Sequence, residues 1–255
     1  MPASSSVFAS GVLCCALLAA AASALAGEFS VNPIRLELGA AVRSGAIAVK
    51  NEGQQPLSFQ LQVMEWRQDP QGKDQYLETR DLIFFPKILT IEPGQQAVVR
   101  VGTRAPVVPV EKTYRLFIEE LPGNAKAAEI RNGQINFLIR FGVPVFITPS
   151  KTQDGLEIAD LALVDGSLNV AARNTGNRHQ VVQGIHLKGA DTSGKEVYAL
   201  TLADRYFLAG TMKSYTASIP ADQCAKLARI EIEFRTDKLS ANRKVDVDRA
   251  MCAPR

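Results

Sequence analysis

Gln134-Ile135-Asn136-Phe137-Leu138-Ile139-Arg140-Phe141-Gly142-Val143-Pro144-Val145-Phe146-Ile147 is the longest strand signal in the chain. Ile135, Phe137, Ile139, Phe141, Val143 and Val145 recur at every second position, which places them on one face of an extended strand. Leu138 adds apolar surface to the other face. An ordinary strand runs about five or six residues, so this one is long enough to do more than fill one layer of a sandwich.

The same code continues in both directions. Upstream, Thr113–Leu121 alternates Tyr114, Leu116 and Ile118 against Arg115, Phe117 and Glu119, and the polar stretch Pro122–Gly133 separates it from the long strand as a loop. Earlier, Gly45–Lys50 stops at Asn51-Glu52-Gly53, and Ser58–Met64 carries Phe59, Leu61 and Val63 on one face. Ile88–Ile91 runs into Glu92-Pro93-Gly94, a turn whose proline presets φ and whose glycine accepts positive φ, before Ala97–Val101. Downstream, Pro149-Ser150-Lys151 closes this half and the pattern restarts. Leu168–Arg173 ends at Asn174-Thr175-Gly176, much as the first half ran into Asn51-Glu52-Gly53. Further strands are predicted at 180–188, 196–202, 214–219 and 228–234. No amphipathic stretch of helical period exceeds two or three turns. Short strands at this spacing predict an all-β chain of two sandwiches, one over 27–149 and one over 152–255, each large enough for its own core.

The first 26 residues contain no charged side chain. Val12–Ala22 is apolar and alanine-rich, and Ala24-Leu25-Ala26 is a small-x-small cleavage pattern, so residues 1–26 read as a secretory signal peptide. No Lys or Arg precedes the apolar run, and the run is just long enough to span a bilayer, so an uncleaved anchor is the alternative. The Ala-Leu-Ala ending favours cleavage. Cys14 and Cys15 leave with this segment; Cys224 and Cys252 remain, an even pair in an exported chain, and are predicted to form a disulfide. Closing a loop of that length contributes roughly 3–4 kcal/mol.

The net charge is only +3, with basic and acidic residues interspersed, which excludes the basic stripe of a nucleic-acid binder. Enzyme signals are nearly absent. His179 and His186, the only histidines, have no cysteine or carboxylate at metal-ligand spacing and are predicted at the surface or an edge. No phosphate-cradling glycine loop and no serine-nucleophile motif occurs, and Glu119 and Glu120 point to opposite faces of one strand. These absences predict a binding protein without metal or cofactor. The length of the strand leads to the expectation that half of it completes its own sandwich while the rest offers backbone hydrogen bonds and alternating side chains to a partner's sheet; an ordinary buried sandwich strand is the alternative. Two other classes compete. A pilus subunit would begin with an apolar donor segment, yet Gly27–Leu38 enters an Arg-containing strand; a carbohydrate-binding sandwich would cluster exposed aromatics, yet the lone Trp66 lies on an alternating strand and is predicted in the core. A periplasmic enzyme comes third, for want of a site.

Taken in order, the segments Phe29–Arg35, Val49–Gly53, Ile91–Gly94, Tyr114–Pro122, Phe137–Phe146 and Asn174–His179 make the chain resemble a periplasmic pilus-assembly chaperone of the PapD-like family. The Tyr114-Arg115-Leu116 and Val143-Pro144-Val145-Phe146 segments are nearer the archaic chaperone-usher branch. The resemblance implies two immunoglobulin-like domains at an angle around a cleft. It implies a periplasmic chaperone that stabilises pilus or fimbrial subunits by donor-strand complementation and delivers them to an outer-membrane usher. Carried over by position, the side chains inserted into the subunit groove are Ile135, Phe137, Ile139 and Phe141. In the best-known branch an arginine and a lysine grip the subunit's C-terminal carboxylate; Arg35 matches the arginine, but the lysine position falls at or beside Pro144. The archaic pattern makes Arg115 the first candidate for the carboxylate anchor, Arg35 the second and Arg140 a distant third. An arginine fork suits that role because it grips a carboxylate bidentately. Self-association of the unloaded chain would cover its apolar strand.

Overall fold

The computed structural model describes residues 29–69, 71–106, 108–122 and 138–252. Residues 1–26, predicted as a signal peptide, residues 123–132, predicted as a loop, Ile135 and Phe137 lie outside the described residues.

The alternating runs form two β-sandwiches of open sheets. In the first, one sheet has the order β1 (Phe29–Asn32), β3 (Ser44–Asn51), β8 (Gln96–Thr103), β6 (Leu82–Phe85). The facing sheet runs β2 (Leu36–Leu38), β10 (Arg140–Ile147), β9 (Lys112–Glu120), β4 (Leu57–Gln68), β5 (Asp74–Glu78), with β7 (Ile88–Ile91) also on β4. The residues predicted on apolar faces meet between these sheets. Phe59, Leu61 and Val63 of β4, Tyr114, Leu116 and Ile118 of β9, and Val143, Val145 and Ile147 of β10 pack against Ile47, Val49, Val99 and Val101. Each fully buried aliphatic side chain contributes about 1.5–3 kcal/mol before ordering costs.

The second sandwich pairs β11 (Glu157–Val164), β12 (Ser167–Arg173) and β16 (Met212–Ser218) against a sheet ordered β14 (Glu196–Leu202), β13 (Gln180–Ala190), β17 (Arg229–Thr236), β18 (Ser240–Asp246), with β15 (Tyr206–Phe207) on β13. A one-turn helix, α1 (Ala221–Cys224), precedes β17. Cys224 and Cys252 are joined by a disulfide, which fastens the segment after β18 to α1.

The paired Asn-x-Gly turns are one device used twice. Asn51 is fully buried; its Nδ2 donates to Gln55 O at 2.8 Å and Ile91 O at 2.9 Å, and its Oδ1 accepts from Gly53 N. Asn174 is equally buried, donates to Arg178 O and Phe207 O at 2.9 Å each, and accepts from Gly176 N. In each sandwich the amide ties the end of one strand to a strand far along the chain. Asn51→Ala is expected to lower stability by about 2–3 kcal/mol, because it strands the buried Ile91 carbonyl and the Gly53 N–H and leaves a gap where the amide was. Urea unfolding checks this; a loss below about 1 kcal/mol would mean water replaces the side chain.

Three local expectations change. The opening strand is two pieces: Phe29–Asn32 lies in one sheet, the chain crosses at Pro33-Ile34-Arg35, and Leu36–Leu38 joins the other. Strands β5, β6, β11 and β18 went unpredicted: β5 and β18 are exposed and carry no apolar alternation, whereas β6 is only four residues long and the alternation of β11 is broken by a register shift between Ile158 and Asp160. The long strand, expected from Gln134, starts at Arg140 among the described residues; Ile139 precedes it and is held to β9 by Glu120 N donating to Ile139 O at 2.9 Å.

Candidate functional site

Strand β10 is paired unequally on its two edges. Along one edge β9 matches it over its full length, from Arg140 opposite Glu119 to Ile147 opposite Lys112. Along the other, β2 runs parallel to it only from Val145 to Ile147. Residues 140–144 therefore present an edge that no described strand covers. Alternation gives this stretch two faces. Ile139 and Phe141 continue the row of Val143, Val145 and Ile147; both are half-buried, and Phe141 packs against the sandwich's own core. Arg140, Gly142, Pro144 and Phe146 lie on the opposite face.

On that opposite face Pro144 sits directly across from Arg115 of β9. Arg115 is the most thoroughly engaged of the three predicted anchor candidates, its side chain only 14% exposed. Its Cζ lies 3.9 Å from the Trp66 ring centroid and 5.5 Å from that of Tyr206. Nη1 donates to Gly142 O at 3.0 Å, and Nη2 is 3.9 Å from Asp74 Oδ2. Nε is buried and has no hydrogen-bond partner among the described residues. Stacking on an indole restrains the guanidinium plane at little desolvation cost, so its donors are held in one orientation. Gly142 makes room for this packing, since a Cβ there would stand 3.2 Å from Phe117 Cε1 and 3.6 Å from Arg115 Cδ.

The other two arginines occupy looser places. Arg140 stacks over Phe117, Cζ 3.9 Å from the ring centroid, and pairs with Glu119 at 3.5 Å; both charged groups are about half exposed. Phe117 in turn meets Tyr76 edge-on at 5.1 Å. Burial, and then the Asp74 carboxylate beside it, push the Tyr76 hydroxyl above the ordinary tyrosine range. Arg35 immediately precedes β2, whose Leu36 matches Val145, so it falls level with Pro144 and Arg115 in the sheet. Its exposed side chain pairs with Glu37 at 3.2 Å. Arg115 and Arg140 thus share a face with Phe117 between them, and Arg35 lies across β10 from Arg115.

The same face of β10 reaches the second sandwich. Phe146 stacks on His179, ring centroids 3.7 Å apart and 12° from parallel, and joins Trp66, Tyr206 and Leu208 in a buried cluster shared by both sandwiches. The His179 backbone N–H donates to Glu111 Oε2 at 2.7 Å, and its ring Nδ1 lies 2.8 Å from the same oxygen. Gln68 donates to Tyr206 O at 3.0 Å and accepts from Leu208 N at 3.2 Å.

Two predictions are corrected here. His179 is buried at the junction and not at a surface or edge; its partner Glu111 is 68 residues away, beyond any local pattern. His186, by contrast, keeps its surface placement: it is only half-buried on β13, and its Nδ1 lies 3.1 Å from Thr201 Oγ1 in an exposed contact. Trp66 is buried as expected, but in the junction cluster and not in a sandwich core. The contributions of Asp74, Tyr76 and Phe146 were missed, although Phe146 stands at the alternate positions of the long strand and was readable as a second apolar face.

Comparison with known proteins agrees with this architecture. Residues 28–153 match the family described as pili and flagellar-assembly chaperone, PapD N-terminal domain. Among solved structures, the chain resembles one from the CsuC–CsuE chaperone–tip subunit pre-assembly complex of the archaic chaperone-usher Csu pili of Acinetobacter baumannii. That match has a TM-score of 0.61 at 18% identity, covering 86% of this chain and 98% of that one. It also resembles the class 5 fimbriae chaperone CfaA, with a TM-score of 0.52 at 13% identity, covering 86% and 99%. A third likeness is to the Salmonella enterica complex of SafA pilin with the SafB chaperone, with a TM-score of 0.51 at 14% identity, covering 86% and 96%. No curated protein matches in sequence. Residues 28–153 thus carry the PapD N-terminal domain of the pili and flagellar-assembly chaperones, and the chain as a whole shares the fold of these structures.

Proposed function

We propose that this chain works in the periplasm, capturing a pilus or fimbrial subunit on the bare edge of β10 and anchoring the subunit's C-terminal carboxylate at Arg115. The observation that carries the proposal is the unequal pairing of β10: β2 covers Val145–Ile147, and no other described strand covers that edge at 140–144. An extended partner segment laid along that edge gains backbone hydrogen bonds, each worth about 0.5–1.5 kcal/mol net. The apolar row that includes Ile139 and Phe141, continued upstream by Phe137 and Ile135, supplies side chains for the partner's groove. Arg115 is held ready by its indole platform, with Arg35 next in line across β10. The match of residues 28–153 to a pilus-assembly chaperone domain, and the likeness to a chaperone of chaperone-usher pili, support delivery of the loaded subunit to an outer-membrane usher. In the unloaded chain the same edge favours pairing with a second copy.

The test is a periplasmic pull-down of the tagged mature chain, with mass spectrometry of whatever is retained at one-to-one stoichiometry. A small secreted β-rich protein encoded with the chain is expected; an empty pull-down with that operon expressed would overturn the proposal. Ile139→Asp is expected to abolish capture with the chain still folded, because the substitution puts a charge into an apolar groove at a position half-exposed in the free chain. Normal capture by this variant would reject the register in which Ile139 is donated.

A further inference from the structure

The groups around Arg115 are not all platform. Nη1 is spent on Gly142 O, Nε is enclosed, and the guanidinium lies against Trp66. Nη2 is the remaining donor group, and 3.9 Å from it stands Asp74 Oδ2. Asp74 is at the start of β5, on the outer edge of the sheet, and is held from two sides: Tyr76 Oη donates to Oδ2 at 3.1 Å and Gln68 Nε2 to Oδ1 at 3.2 Å. Gln68 also bonds Tyr206 O and Leu208 N of the second sandwich. The carboxylate is therefore fixed in front of the one guanidinium group left to meet an incoming acid.

We infer that Asp74 is a resident counter-carboxylate that competes with the subunit's C-terminus for Nη2 of Arg115 and so sets how tightly the anchor holds. The inference rests on the anchor role proposed above. An arriving carboxylate that engages Nη2 must come within a few ångströms of Asp74, where two like charges near a protein surface repel appreciably. Asp74 is about one-third exposed, so water and salt moderate the repulsion and the device tunes affinity without blocking it. In the unloaded chain the same carboxylate spares Arg115 an uncompensated charge in a nearly buried position.

The experiment uses the full mature chain and a synthetic heptapeptide of alternating Val and Thr, prepared with a free C-terminal carboxylate and as its C-terminal amide. Isothermal titration at low salt compares wild type, Asp74→Asn, Asp74→Glu and Arg115→Ala. Asparagine keeps an oxygen for Tyr76 and removes the charge. Asp74→Asn is expected to tighten the carboxylate peptide about three- to fivefold, with the gain shrinking at high salt, and to leave the amide unchanged. Asp74→Glu is expected to bind both peptides as wild type does. If the carboxylate peptide needs Arg115 but Asp74→Asn fails to tighten it, or tightens the amide equally, Asp74 is not a competitor and the anchor role survives. If carboxylate and amide bind alike in wild type and Arg115→Ala, the anchor role falls and this inference with it.

Discussion

Arg115→Ala is expected to end subunit capture while leaving the chain folded. A charge-assisted hydrogen bond to a poorly solvated carboxylate contributes about 1.5–3 kcal/mol, so losing the guanidinium weakens binding roughly ten- to 150-fold. Register suffers too, because the fork fixes where the partner's terminus stops along the strand. The fold tolerates the change: Gly142 is only half-buried, so its carbonyl reaches water once Nη1 is gone, and the core contacts of β9 belong to Tyr114, Leu116 and Ile118 on the other face. Arg115→Lys is not expected to rescue capture, since an ammonium cannot bond Gly142 O, stack on Trp66 and present a second donor at once. The checks are the level of subunit recovered from the periplasm and co-elution with the purified variant. Wild-type recovery would move the anchor to Arg35, level with Arg115 across β10.

Trp66→Ala is expected to cost about 3–5 kcal/mol and to weaken capture as well. Trp66 is 1% exposed, meets Tyr206 edge-on at 5.4 Å and Phe146 at 6.2 Å, and carries the Arg115 guanidinium on its face. Truncation therefore opens a hole between the sandwiches and frees the anchor to wander. Trp66→Phe separates the two effects. The indole Nε1 has no hydrogen-bond partner among the described residues, so phenylalanine loses volume but no bond, at a cost of about 1–2 kcal/mol. Calorimetry is the readout for stability, with subunit recovery beside it. Equal stability of the alanine variant and wild type would mean the cluster closes around the gap.

The elements most legible in the sequence are those with long, unbroken alternation. Alternation in β4, β9 and β10 marks the core directly, because burial on one face of a sheet has period two. The turns at Asn51 and Asn174 were legible as a repeat, since each run of alternating residues stops at an Asn-x-Gly whose asparagine Oδ1 accepts from the backbone N–H two residues later. The strand β5 was not, because it is exposed throughout and owes its place to β4. The site divides in the same way. Arg115 stood out by position within a motif, but its setting, built from Trp66, Asp74 and Tyr206, depends on residues 41 to 91 positions away in the chain. His179 was misplaced for that reason: only the fold brings Glu111 and Phe146 to it.

One strand links all of this. From Ile139 to Phe146, β10 and its lead-in pass from the open edge, past Pro144 and Arg115, to the junction stacked on His179, with no bulge in the pairing of β10 with β9. At about 3.3 Å per residue the stretch is a ruler roughly 23 Å long. Inserting two residues between Ile139 and Val143 would keep every side chain on its present face and shift the donated row by about 7 Å relative to Arg115. Inserting one would exchange the faces altogether. With the roles proposed above, spacing along this strand becomes a fixed dimension: the count between the donated row and Arg115 has to match the length of what the chain carries.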